Sequence, residues 1–238
     1  MKQSLLIDLD GTLLPMDNDA FTKYYMGLLA HKFERVGYDP ETSIKAVWNG
    51  VKHMVGNSGE ATNEEVFWQS FMTVMGTHMH HCKEALNAIL TQFYKEEFQE
   101  AIQATTPTSM ARKLIDKAHE NGYQLILATN PIFPKVAVEQ RLRWIQLSLD
   151  DFDDVTTYET SHFCKPNPKY YQEILQRNKL HVDDCIMIGN DVQEDVLPSL
   201  AIGLDVCLIN DYQIGTIDES LGKGKVTSIS LASLLESL

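Results

Sequence analysis

Short apolar runs alternate with helix-length amphipathic segments along most of this chain. Five runs read as buried parallel strands: Ser4 to Leu9, Gln124 to Thr129, Asp154 to Tyr158, Cys185 to Gly189 and Asp205 to Ile209. Segments long enough for helices separate the later runs, which is the β-α-β-α rhythm of an α/β doubly wound parallel sheet. Thr106-Pro107 predicts the start of one helix, with proline in its first turn, and Gly122 predicts its end. Asn167-Pro168 predicts another start of the same kind. A last strand-like run, Val226 to Ile229, precedes a short helix at Leu231 to Leu238.

The stretch from Asp17 to Thr105 has a different period. Phe21, Tyr24, Tyr25, Leu28 and Leu29 recur at helical spacing until Gly37. Asp39-Pro40 fits the N-cap and first turn of a helix carrying Ile44, Val47, Trp48 and Val51. Thr62 and Glu65 fit a capping box ahead of Val66, Phe67, Phe71, Val74 and Met75. Leu86, Ile89, Leu90, Phe93 and Tyr94 give a fourth helix. The expected organisation is therefore an α/β core from residues 1–16 and 106–238, with an all-helical insert at 17–105.

At 238 residues, 44% of them apolar, the chain can bury a core of that size. No apolar run approaches the roughly 18 residues of a membrane span. The start, Ser4-Leu5-Leu6-Ile7-Asp8, turns acidic too early for a signal peptide. A net charge of −13 argues against nucleic acid as a partner. It also means that an anionic ligand must be attracted locally. Cys82, Cys164, Cys185 and Cys207 form no C-x-x-C pair, and a reducing cytoplasm suits them better than a disulfide framework.

The residues with the most chemistry come at the end of the first strand. In Asp8-Leu9-Asp10-Gly11-Thr12, period-two alternation puts both carboxylates on one side, and Gly11 suits a sharp exit from the strand. In an open α/β sheet this is the carboxyl edge, where ligands bind. Two carboxylates so close repel unless a cation lies between them or one holds a proton. An EF-hand is excluded, because the sixth loop position is not Gly and the twelfth is Asp19 rather than Glu.

Asp8 to Thr12 resembles the first motif of the haloacid dehalogenase-like hydrolase superfamily, whose members are mostly phosphatases. Leu127-Ala128-Thr129-Asn130 resembles the second motif, Lys165-Pro166 the third, and Ile188-Gly189-Asn190-Asp191 through Asp195 the fourth. They occur in the family's order over essentially the whole chain, and the helical insert falls where the family's C1-type cap lies. The resemblance implies Asp8 as nucleophile, Asp10 as general acid and base, and Lys165 as a charge-balancing group. Thr129, with Thr12 and Asn130, would hold the phosphoryl oxygens. A Mg²⁺ ion would be held by Asp8, Asp10 through its backbone carbonyl, and the fourth motif. That motif usually has Gly followed directly by Asp, whereas here Asn190 intervenes, so either Asn190 or Asp191 takes the ligand position. Hard cations favour the carboxylate of Asp191. Asp195 is expected to orient Lys165 or a metal-bound water.

The activity so implied is hydrolysis of a small phosphorylated metabolite through an aspartyl-phosphate. Asp10 disfavours dehalogenase and phosphonatase chemistry, but a β-phosphoglucomutase-like enzyme would also keep it. A phospho-acceptor signalling domain is about half this length and carries its acceptor on a middle strand. Arg141, Arg143, Phe133, Tyr24 and Tyr25 are possible substrate contacts, and His162 is a possible neighbour of the pocket. His78, His80, His81 and Cys82 are spaced for a transition metal, although no partner ligands stand elsewhere. Asp150, Asp151, Asp153 and Asp154 read as a solvated loop.

Overall fold

The computed structural model describes residues 3–76, 82–218 and 223–238. Six parallel strands form one sheet in the order β3-β2-β1-β4-β5-β6: β1 (Ser4–Ile7), β2 (Gln124–Leu127), β3 (Asp154–Val155), β4 (Cys185–Gly189), β5 (Asp205–Ile209) and β6 (Val226–Ile229). The order reverses at β1, so the crevice between β1 and β4 is the switch point where such sheets bind ligands. Ile7 is in register with Leu127 on one side and Ile188 on the other. The residues that follow these three therefore leave the sheet at one level. The first three strands stop earlier than their apolar runs, because Asp8, Thr129 and their neighbours turn away at that edge.

Alternation along the strands divides the core into two faces. Leu5 and Ile7 join one apolar cluster with α5 (Met110–Glu120), α6 (Lys135–Trp144) and α9 (Leu231–Ser237). Leu6 joins the other, with α7 (Pro168–Asn178), Val192 and Val196. Asn167 caps α7 by accepting from the Lys169 N–H at 3.0 Å. By contrast, α5 begins at Met110, not at Thr106-Pro107. Thr106 instead donates its N–H to the Pro15 carbonyl at 2.8 Å, and Thr105 forms an antiparallel bridge with Met16. That pairing holds the segment extended and delays the helix.

Between Met16 and Thr105 the chain forms α1 (Asn18–Arg35), α2 (Pro40–Val55), α3 (Asn63–Met75) and α4 (Lys83–Lys95), then a 3₁₀ segment at Glu97–Ala104. Asp39 accepts from the Thr42 N–H at 2.8 Å, and Thr62 with Glu65 forms the capping box. The start of α3 is fastened to the core. The Asn63 N–H donates to the Ser161 carbonyl and the Glu64 N–H to the Tyr158 carbonyl, both at 2.8 Å. The fully buried Asn63 side chain also lies 3.2 Å from Cys164 Sγ. His78, His80 and His81 lie outside the described residues. Cys82 and the three buried cysteines form no disulfide among the described residues.

Candidate active site

Four segments meet at the switch point. Asp8 follows β1 directly and is 6% exposed. Lys165, 1% exposed, reaches it from the loop before α7 and donates to Asp8 Oδ1 at 2.7 Å and to Asp195 Oδ1 at 2.6 Å. Asp195, from the π-helical turn Val192–Val196 that follows β4, also accepts the N–H groups of Asn190 and Asp191 at 3.0 Å each. Gly189 makes this possible, since a Cβ there would come 2.3 Å from Asp195 Oδ2. On the other side of Asp8, the Thr12 hydroxyl lies 3.1 Å from both Asp8 Oδ2 and Asn190 Oδ1. Gly11 adopts φ +83°, and a Cβ there would collide with the Asn190 amide.

Burial pushes the Asp8 carboxyl up to about 7, against the pull of Lys165 and with help from Asp195 and Asp10. For Lys165, burial works against the charged form, but Asp195 and Asp8 outweigh it and hold its pKa well above the ordinary lysine range. The lysine is therefore a fixed positive charge between two carboxylates.

Asp10 has a separate partner. Arg141 of α6 is fully buried and donates through Nη1 to Asp10 Oδ2, while its guanidinium carbon rests 4.2 Å from the centre of the Phe133 ring. Asp10 Oδ1 is buried with no hydrogen-bond partner. The sequence suggests Arg141 as a substrate contact, whereas in the structure it pairs with Asp10. The available signal was its register: Arg141 shares an apolar helix face with Ala137, Val138 and Leu142, where a cation needs a buried partner.

Thr129 and Asn130 follow β2 and line the same cavity as Asp8, Asp10, Asn190 and Asp191. Asn130 donates to Glu194 Oε2 at 3.0 Å, and its own Oδ1 is buried without a partner. Glu194 was also not anticipated; burial pushes it up to about 7, partly opposed by Lys165. Both oxygens of Asn190 have neighbours, the main-chain one taking the Ile214 N–H at 2.9 Å and the side-chain one facing Thr12. Asp191 Oδ1 accepts the N–H groups of Gln193 and Glu194. Thr12 is not on the cavity wall, and its hydroxyl is taken up by Asp8 and Asn190.

Other candidates fall elsewhere. Tyr25 and Phe133 line the cavity, whereas Tyr24 faces Gln103 and Arg143 pairs with Glu139 on an exposed surface. His162 pairs with Glu173 at 2.7 Å. The acidic loop before β3 is engaged rather than merely solvated: Asp151 pairs with Arg112, Asp153 accepts the Leu125 N–H, and Asp154 pairs with Arg177.

Among the described residues, no group of three or more His, Cys, Asp or Glu side chains is gathered for a metal ion. The donors at the cavity floor are oxygens only, and one carboxylate oxygen, Asp10 Oδ1, is orphaned there. A small hard cation that retains several waters and takes one or two carboxylates fits that set; a metal needing a closed shell of nitrogen or sulfur does not.

A family model described as haloacid dehalogenase-like hydrolase matches residues 3–203. Glyceraldehyde 3-phosphate phosphatase from Methanothermobacter thermautotrophicus is 31% identical over 90 residues, covering 37% of this chain and 38% of that protein. The match therefore spans well under two thirds of that relative. Among solved structures, 2-haloacid dehalogenase from Pseudomonas syringae pv. Tomato DC3000 is similar over 99% of this chain and 97% of its own, with TM-score 0.63 and 16% identity. The HAD-hydrolase YfnB from Bacillus subtilis, bound to magnesium, covers 100% and 98% with TM-score 0.58 and 21% identity. A HAD phosphatase from Thermococcus onnurineus covers 99% and 97% with TM-score 0.58 and 17% identity. At these identities the likeness to the three structures is one of fold.

Proposed function

The chain belongs to the haloacid dehalogenase-like hydrolases, and from that premise we propose that it is a Mg²⁺-dependent phosphatase acting on a small phosphomonoester through Asp8. The observation that carries this reading is the fixed Asp8 carboxylate, bonded to Lys165 and braced by Thr12, on the floor of a cavity whose second carboxylate, Asp10, is held separately by Arg141. A phosphatase named among the relatives points the same way.

Asp8 attacks phosphorus in line, forming an aspartyl-phosphate as the bond to the leaving oxygen breaks. Lys165 offsets negative charge on the phosphoryl oxygens, and Thr129 and Asn130 orient them. Arg141 holds Asp10 by Oδ2, which leaves Oδ1 to carry the proton delivered to the leaving oxygen. The same oxygen then accepts a proton from the water that hydrolyses the intermediate. The carboxylates of Asp8 and Asp191 with the Asp10 main-chain carbonyl would hold Mg²⁺, which would supply positive charge to keep Asp8 ionised and to neutralise the phosphoryl group. Asp191 suits this better than Asn190, whose oxygens already face Ile214 and Thr12. The helical insert serves as a cap that excludes bulk water.

The test is phosphate release from a panel of phosphomonoesters with Mg²⁺, with Asp8→Asn as the blank. Wild type is expected to exceed that variant by at least ~10⁴-fold on its best substrate, the order of effect for losing a nucleophile. Indistinguishable rates on every ester reject the reading.

A further inference from the structure

The cavity above Asp8 has a volume of about 240 Å³, and its wall separates by chemistry. Its charged side chains are Asp8, Asp10, Asp191, Glu194 and Asp195, all carboxylates and all on segments that follow β1 or β4. The part built by the insert is apolar and aromatic: Phe21, Tyr25, Val47, Trp48, Leu90 and Tyr94. What polarity it has is uncharged, from Asn18, Thr22, Asn87 and Thr91. Among the described residues, no cationic side chain lines the cavity. The two cations nearest its floor are already engaged, Lys165 by Asp8 and Asp195, and Arg141 by Asp10.

We propose that the leaving group is an uncharged, largely apolar alcohol or phenol of about benzene size, so that the phosphoryl group is the substrate's only anion. The inference rests on the phosphatase reading and adds the substrate class to it. A carboxylate or second phosphate on the leaving group would be desolvated against aromatic rings with no cation to pair it, a costly arrangement. It would also face the five carboxylates below. The size follows from volume: benzene occupies a cavity of about 150 Å³, which leaves room here for the phosphoryl group. One polar contact is available. The hydroxyls of Tyr25 and Tyr94 share a hydrogen bond of 2.8 Å, which uses one of their two hydrogens and leaves the other for a neutral acceptor on the substrate. Burial raises both phenols above their ordinary value, Tyr25 to about 12, so the pair stays neutral.

The experiment compares three esters of matched leaving-group acidity with the Mg²⁺-loaded enzyme: benzyl phosphate, its 4-carboxy analogue and its 4-aminomethyl analogue. kcat/KM for the neutral ester is expected to exceed that for the carboxylated one by at least ~30-fold, within the range a pocket contact achieves. Thr91→Lys, which adds a cation to the uncharged wall, is expected to narrow that ratio about tenfold. Equal rates, or a preference for either charged ester, overturn the proposal. The same selectivity is read without turnover by calorimetric binding of benzylphosphonate and 4-carboxybenzylphosphonate. If neither these esters nor any of the wider panel is hydrolysed but the neutral phosphonate binds preferentially, the phosphatase reading fails while the pocket assignment stands. If esters are hydrolysed but the carboxylated phosphonate binds as well, only the pocket assignment fails.

Discussion

Beneath the floor of the cavity, Lys165 is almost fully buried between two carboxylates at 2.6 and 2.7 Å. On the insert's side of the cavity, Val47, Leu90 and Tyr94 are also buried, yet they meet the cavity through rings and methyl groups. Both walls are buried but respond differently to change. A group removed from the floor leaves a buried charge unpaired, whose cost is large and abrupt. A methyl group lost from the insert costs contact area, which is graded and small. On the proposed function, chemistry is set by the wall that tolerates least, and selectivity by the wall that tolerates most.

The sharpest way to break this contrast is Lys165→Met. It leaves Asp8 and Asp195 facing each other without a cation, so a loss of about 3–5 kcal/mol in stability is expected, together with a fall of roughly 10²–10³-fold in kcat. A denaturant titration and a rate assay read the two separately, and a variant near wild type in both would show that the floor does not depend on its charge. Asp10→Asn leaves the buried Arg141 without its carboxylate, so a loss of stability is expected together with turnover slowed at least ~10²-fold; near-normal rates would remove Asp10 from proton transfer.

Glu194→Gln tests the floor through pH. Burial raises this carboxyl from 4.5 to about 7, with Lys165 opposing. The folded state thus holds the proton more tightly than the unfolded state does. The stability so contributed is full below about pH 4.5 and is lost as pH rises through 7. The neutral Gln escapes that loss. In chelator-treated protein, the variant should match wild type at pH 4.5 and exceed it at pH 8 by roughly 1–3 kcal/mol; a gap that does not change with pH counts against the buried-carboxyl account. The smallest effect is expected on the insert, where Val47→Ala should act mainly on KM, by about two- to tenfold. A larger change in kcat than in KM would mean that the insert does more than hold the leaving group.

Local chemistry was legible in the sequence wherever a few neighbouring residues complete it. The Thr62–Glu65 box, the Asp39 and Asn167 caps and the strand-end positions of Asp8, Thr129 and Asp191 are of that kind, each set by spacing and period. What long-range contacts decide was not legible. Asp10 and Arg141 are 131 residues apart, and only folding pairs them. Pro107 satisfies the local rule for a helix start, yet a backbone bond from Thr106 to Pro15 overrides it. The aspartates before β3 read as solvated because their partners Arg112 and Arg177 lie on separate helices.

The antiparallel bridge between Met16 and Thr105 gives the molecule a seam. Where a long excursion leaves and rejoins the chain side by side, the geometry required of it shrinks to one pair of adjacent ends. At the seam itself a replacement segment has only to bring two termini to that spacing, whereas the bonds from the start of α3 to Ser161 and Tyr158 would have to be replaced. On the proposed reading, swapping the helices for another module at this seam would change which molecules are admitted and leave Asp8 and Asp10 where they are.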